Sequence, residues 1–188
     1  MCSHQAVACV NRRIQRACAA SSVAGPSEGV EIFPTPEKGG WGLRATRSFG
    51  KGDVVAEYLG EEVAYEAVHQ RRVRQLREGR QNYLIVLCEN ISTKENGEKR
   101  LHTCVDASWR GNVARFANHS CDPNMLPLPV RTGRCSPRIV FFAARSIAVG
   151  EELTISYGSA RVGAEGDPRK ICLCGANTCG GFLPFDLD

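Results

Sequence analysis

The run "CLCGANTCGG" near the C-terminus constrains this chain more than any other stretch. It sets Cys172, Cys174 and Cys179 in a C-x-C-x4-C spacing, close enough for three thiolates to reach one metal. A structural zinc takes four ligands in a tetrahedron, so the fold has to bring a fourth donor from elsewhere. The chain has 10 cysteines. Cys2, Cys9 and Cys18 cluster at the start, and Cys88, Cys104, Cys121 and Cys135 stand singly. The apolar run before Arg12 and Arg13 is only five residues, too short for a signal-peptide core. A reducing compartment is therefore expected, where close cysteines serve metal rather than disulfides.

Two sources of the fourth ligand are open. The N-terminal cysteines are one, but "AASSVAGPSEG" at 19–29 is small, polar and turn-forming and reads as a linker that separates them from the body. Cys121 is the other. It lies 172 − 121 = 51 positions upstream of Cys172, inside the turn-rich run "ARFANHSCDPN", which can approach the tail. Spacing favours Cys121 as ligand over Cys121 as a small buried thiol.

The 188 residues suffice for one domain with a core and a small appendage. The longest apolar run, "IVFFAA" at 139–144, is far too short to span a bilayer, so no membrane partner is expected. Net charge is +4, and 19 of 24 basic residues are arginine. The densest cluster, "HQRRVRQLREGR" at 69–80, reads as a solvated helix face in preference to a contact surface for nucleosomal DNA. Residues 63–78 lack Gly and Pro and predict one helix. Strands are predicted in "DVVAEYLGEEV", "NYLIVLC" (read as a buried strand), "RIVFFAARSI" and "EELTISY", with a hairpin reversal around Asn96-Gly97. The fold class is mostly β.

These stretches also carry a family resemblance. "GNVARFANHSCDPN", then "EELTISYG", then C-x-C-x4-C, together resemble a SET-domain protein-lysine methyltransferase with its post-SET cysteine segment. Upstream, "KGGWGLRATRSFGKGDVVAEYLGEE" is similar to the opening of that domain. The resemblance runs from about residue 30 to the C-terminus. The ending "CGANTCGGFLPFD" and the short helical insert resemble most the SET portion of SET–mariner transposase fusions and their relatives in the suppressor-of-variegation group. The resemblance implies short sheets, a pseudoknot of the "NHSC" and "SYG" segments, a helical insert and a zinc-binding tail. It divides the chain into a pre-SET remnant (1–18), the linker (19–29), a SET domain (30–158) and a post-SET segment (159–188). The group's nine-cysteine, three-zinc pre-SET cluster cannot be built from the three cysteines before the linker.

By the same resemblance, Cys121 joins Cys172, Cys174 and Cys179 around one zinc. The expected reaction moves a methyl from S-adenosylmethionine to a histone-tail lysine, that of histone H3 foremost, alone or within a nucleosome. The expected location is nuclear and chromosome-associated. A non-histone lysine methyltransferase and a catalytically weak chromatin-binding module are the alternatives. Tyr157 takes the catalytic position, and Tyr58 lines the lysine channel. Gly40, Trp41, Tyr83, Arg115, Asn118 and His119 take cofactor-binding positions, the last two through their backbone. Glycine at 40 and 42 lets a ligand approach the main chain. Relatives carry an aromatic residue and then Asp just before the catalytic tyrosine; Ile155 and Ser156 stand there in this chain. Ile155 reads either as a group that shapes the channel and the number of methyls accepted, or as plain strand core.

Overall fold

The computed structural model describes residues 28–93, 97–131, 136–158 and 170–184. The N-terminal cysteines, Cys135 and most of the 19–29 linker lie outside them. The chain opens on an antiparallel pair, β1 (Val30–Thr35) and β2 (Gly40–Ala45), in register from Val30↔Ala45 to Thr35↔Gly40. Between them a 3-10 turn at Pro36–Lys38 closes on Gly39, whose φ of 78° needs a glycine.

Three strands form the central sheet: β3 (Val54–Tyr58), β8 (Met125–Val130) and β9 (Arg138–Ala143), in the order β3-β9-β8. The middle strand carries the uninterrupted apolar run "IVFFA", and Ile139, Val140 and Phe141 are each 0% exposed. A strand covered on both faces needs no polar alternation. β8 survives Pro127 and Pro129 because it is an edge strand. The two prolines alternate along it, so their missing N–H groups face the same side, away from β9. Leu43, Phe49, Met125, Phe141, Ile147 and Leu153 meet in the main core.

The second three-stranded sheet holds the insert: β4 (Glu61–Glu62), β5 (Leu84–Thr93) and β6 (Gly97–Asp106), in the order β4-β6-β5. The β5–β6 ladder runs to Thr93↔Gly97. The hairpin exists, but Gly97 opens the returning strand rather than sitting in the reversal. Helix α1 (Tyr65–Arg77) falls within the predicted 63–78 and ends on Gly79, with Gly79 N bonded to Leu76 O and Arg80 N to Gln75 O.

This helix docks through Val68, packed with Leu84 and Cys104, and through polar groups. Its buried residues are Val68 and Gln75. Gln75 Nε2 donates to Asp106 Oδ2 (3.2 Å) and Ser108 Oγ (2.8 Å), and Arg71 forks onto Glu61 at 2.6 and 2.8 Å while reaching Asp106 at 3.2 Å. Arg74 and Arg80 both pair with Glu78, and the Arg80 guanidinium lies 4.1 Å from the Trp109 ring centroid. Arg71, Arg74 and Arg80, three of the cluster's five arginines, are thus paired within the fold.

Finally, β7 (Asn118–His119) and β10 (Thr154–Ile155) pair in parallel, Thr154 with Asn118 and Ile155 with His119. This pairing joins the "NHSC" run to the "SYG" run. "EELTISY" contributes only this two-residue strand, shorter than predicted. Ile155 is buried in the main core, matching the strand-core reading of that residue.

Candidate active site

Four segments that are distant in sequence converge at the β7–β10 pairing. Ser120 N bonds to Ile155 O at 3.0 Å, extending the pairing by one residue. Asn124 is buried and laces the crossing together. Its Oδ1 accepts from Thr154 N at 2.9 Å, and its Nδ2 donates to Glu151 Oε1 at 2.9 Å and Glu152 O at 2.8 Å. The turn-forming composition of "NHSCDPN" conceals this role.

The β2 strand is drawn to the same place. Asn118 Nδ2 donates to Trp41 O (3.3 Å) and to Glu152 Oε1 (2.9 Å), and Lys38 Nζ meets Glu152 Oε2 at 2.5 Å. Neither Lys38 nor Glu152 carries a motif signal; only the fold reveals that they bridge the "GGWG" and "NHSC" segments. Trp41 is 56% exposed, a large aromatic with an open face. Gly42 is required here for contact: a Cβ would come within 2.8 Å of Phe33 and Thr35 side-chain atoms.

The three tyrosines singled out from the sequence do gather. Tyr58 Oη donates to Tyr83 O at 2.5 Å, and Tyr157 Oη donates to Ala117 O at 2.9 Å. Tyr83 O also accepts Ala107 N at 3.1 Å, and Tyr83 Oη donates to Gln81 Oε1 at 2.5 Å. Burial first, then the nearby Tyr157 and Asp106, pushes the Tyr58 hydroxyl above the ordinary tyrosine value. Burial first, then Tyr83 and Glu152, does the same for Tyr157. Both hydroxyls are therefore protonated at neutral pH. Tyr157 is half-exposed as a residue even though its hydroxyl is enclosed.

Arg115 sits on the 3-10 turn Val113–Phe116. Its Nη1 donates to Ala107 O at 2.8 Å, its guanidinium lies 4.1 Å from the Tyr83 ring centroid, and its buried Nε has no hydrogen-bond partner among the described residues. Two carboxylates close to Tyr58 in sequence are tied up: Glu57 pairs with Arg138 at 3.1 Å and Glu61 with Arg71. The Glu61 carboxyl is held below its ordinary value, chiefly by the hydrogen bond from Arg71.

Beside this centre lie the cysteines. The sulfurs of Cys121, Cys172, Cys174 and Cys179 all fall within 4.8 Å of one another, and Cys121 Sγ is 3.9 Å from Cys172 Sγ. A zinc tetrahedron with arms of ~2.3 Å has edges of ~3.8 Å, so the four thiols fit one zinc. Burial pushes the Cys172 thiol up to about 12. At Cys174 burial also opposes ionisation, but backbone N–H groups of Cys121 and Ala176 and the Cys172 and Cys179 thiols outweigh it and bring the thiol down to about 6. Of these, Cys174 is the thiol most ready to ionise and to take up a metal. The four are the set expected from the sequence; Cys88 and Cys104 stand apart.

These features define a class. The SET domain family matches residues 40–158, more than half of the 188 residues, and the chain belongs to that family. Among its relatives, the rat "Histone-lysine N-methyltransferase SETMAR" is 40% identical over 167 residues, covering 84% of this chain and 51% of the relative. The Caenorhabditis elegans "Probable histone-lysine N-methyltransferase set-23" is 40% identical over 178 residues, covering 94% of this chain and 66% of the relative. The crystal structure of the methyltransferase domain of human SETMAR superposes with a TM-score of 0.66 at 34% identity, covering 84% of this chain and 58% of that one. The chain thus spans about half to two thirds of the length of these relatives.

Proposed function

We propose that this chain is a protein-lysine N-methyltransferase that uses S-adenosylmethionine and acts on a histone-tail lysine, that of histone H3 foremost, in the nucleus. The observation that carries the reading is the β7–β10 pairing. It sets Tyr157 beside Ala117 and His119, in the company of Tyr58 and Tyr83.

S-adenosylmethionine would supply a methyl group on a sulfonium centre, held by Gly40, Trp41, Tyr83, Arg115 and the backbone of Asn118 and His119. The half-exposed Trp41 side chain suits a ligand at the "GGWG" segment. The chemistry left to the chain is positioning and proton control. Tyr58 and Tyr157 already donate to backbone carbonyls, so their oxygen lone pairs are free to accept from a lysine amine. Two fixed acceptors orient the nitrogen with its own lone pair toward the methyl donor. An ammonium entering this enclosed space is desolvated, which favours loss of its proton. Neither tyrosine is a base at neutral pH, and Glu57 and Glu61 are neutralised by arginines. The proton therefore leaves to water before the amine is sealed in. A zinc on Cys121, Cys172, Cys174 and Cys179 would pin residues 170–184 against the loop that carries Asn118 and His119.

Labelled methyl transfer from S-adenosylmethionine to a histone panel tests the proposal, with unrelated lysine-rich proteins alongside. Label on a histone lysine is expected. Label only on the unrelated proteins would mean a non-histone methyltransferase. Tight histone binding without label would mean a chromatin-binding module.

A further inference from the structure

His119 uses both of its ring nitrogens, and each goes to a different part of the molecule. Nδ1 accepts the backbone N–H of Tyr157 at 3.2 Å. The ring proton must then be on Nε2, since a neutral imidazole carries one donor and one acceptor. Nε2 lies 3.4 Å from Cys121 Sγ, so its N–H points at the sulfur. Gly180 N donates to the same sulfur at 3.4 Å, giving it two donors, as suits a metal-bound thiolate. The ring cannot turn over without loss, because a flip about Cβ–Cγ would present C–H to the Tyr157 amide. It is buried at 7% exposure, packed 5.4 Å from the Tyr157 ring centroid.

We infer that His119 is a positioning residue whose side chain couples the state of the thiol cluster to the placement of Tyr157. The backbone role expected for His119 in cofactor binding leaves the imidazole free for this second task. A zinc-bound thiolate is a strong acceptor, so the loaded cluster fixes the ring, and the ring fixes the Tyr157 main chain through Nδ1. Without metal, the cluster no longer holds Cys121 Sγ in place, and the ring's anchor on that sulfur is free to shift. Outer hydrogen-bond partners of metal ligands tune affinity in just this way. The inference rests on the zinc and Tyr157 readings above.

Two substitutions separate the two ends of the bridge. The amide of His119→Asn reaches the Nδ1 position and keeps an acceptor for Tyr157 N–H, while losing Cys121. The amide of His119→Gln reaches the Nε2 position and keeps a donor for Cys121. Zinc affinity is measured by competition with a chelator of known affinity. The Tyr157 amide is followed by nitrogen-15 NMR, zinc-loaded and zinc-stripped. His119→Asn should weaken zinc binding by about 10- to 100-fold and abolish the response of the Tyr157 amide to zinc. His119→Gln should retain more of the affinity and shift the Tyr157 amide even when loaded. Wild-type affinity in both variants, or an undiminished Tyr157 response in His119→Asn, overturns the coupling. Should the variants fail to fold, nitrogen-15 spectra of the wild-type imidazole decide. An Nε2–H tautomer that changes on zinc removal supports the bridge; an Nδ1–H tautomer, or no change, contradicts it. None of these readouts needs cofactor or turnover, so they stand or fall apart from the methyltransferase reading.

Discussion

The body of the domain and the cysteine segment at 170–184 are held by different forces. In the body, β9 lies between two partners and its Ile139, Val140 and Phe141 are fully buried. In the cysteine segment, Cys172 alone is buried, while Ile171 is 68%, Leu173 52% and Phe182 43% exposed. Its backbone bonds are mostly local, Cys172 to Gly181, Leu183 to Lys170 and Cys179 to Ala176; Gly180 N reaches the body only through the sulfur of Cys121. Apolar burial orders the first region, and sulfur, with the metal it would bind, orders the second. Yet the sulfur-held region adjoins the residues assigned to chemistry. A segment with few apolar anchors can be placed or released by a single ligand set, which a buried sheet cannot.

The largest expected effect breaks the weaker side of that comparison. Metal binding of this kind is worth on the order of 10 kcal/mol to a small segment. Stripping zinc with a chelator, or Cys174→Ser, should make residues 170–184 protease-sensitive and weaken cofactor binding, while the body keeps its cooperative unfolding. Elemental analysis finding no zinc in reduced, active protein would refute this. Phe141→Ala should do the opposite. It opens a cavity in the main core and costs about 3–5 kcal/mol of global stability, whether or not zinc is present; a denaturation midpoint unchanged from wild type would show that β9 is not the anchor.

A smaller effect sharpens the comparison with a third region. Helix α1 is joined to the body by Arg71 and Gln75 converging on Asp106. Asp106→Ala leaves the buried Gln75 amide with Ser108 Oγ as its remaining acceptor and takes away the acceptor of Ser108 N, and should cost about 1–3 kcal/mol. Hydrogen exchange should show α1 opening before β9. If α1 and β9 exchanged together, the helix would be part of the body rather than a polar appendage.

Much of this was legible in the sequence where one signal dominates locally. The run "RIVFFAARSI" marked a strand, the Gly- and Pro-free run at 63–78 marked α1, and C-x-C-x4-C with Cys121 marked the thiol cluster that the fold assembles; "NYLIVLC" reads as a buried strand, but of its residues only Leu84 is buried. What stayed hidden depends on partners far along the chain. β8, which carries Pro127 and Pro129, is not among the predicted strands, and its place at an edge tolerates both prolines. Asn124 reads as turn chemistry, but its amide spans to Thr154 and Glu152. Glu152 and Lys38 carry no motif signal, and only the fold brings them together. Long-range polar pairing leaves no periodic trace, so only the fold discloses it.

The central claim is that Tyr157 orients the lysine amine for transfer. Tyr157→Phe removes the oxygen and leaves the ring, the β7–β10 pairing and the thiol cluster in place. Single-turnover methyl transfer to the best histone substrate should slow by about 100-fold or more, the scale of losing one preorganised hydrogen-bonding group in an active site. S-adenosylmethionine binding, measured by calorimetry on the same preparation, should stay near wild type. An unchanged transfer rate with normal cofactor binding would contradict the account.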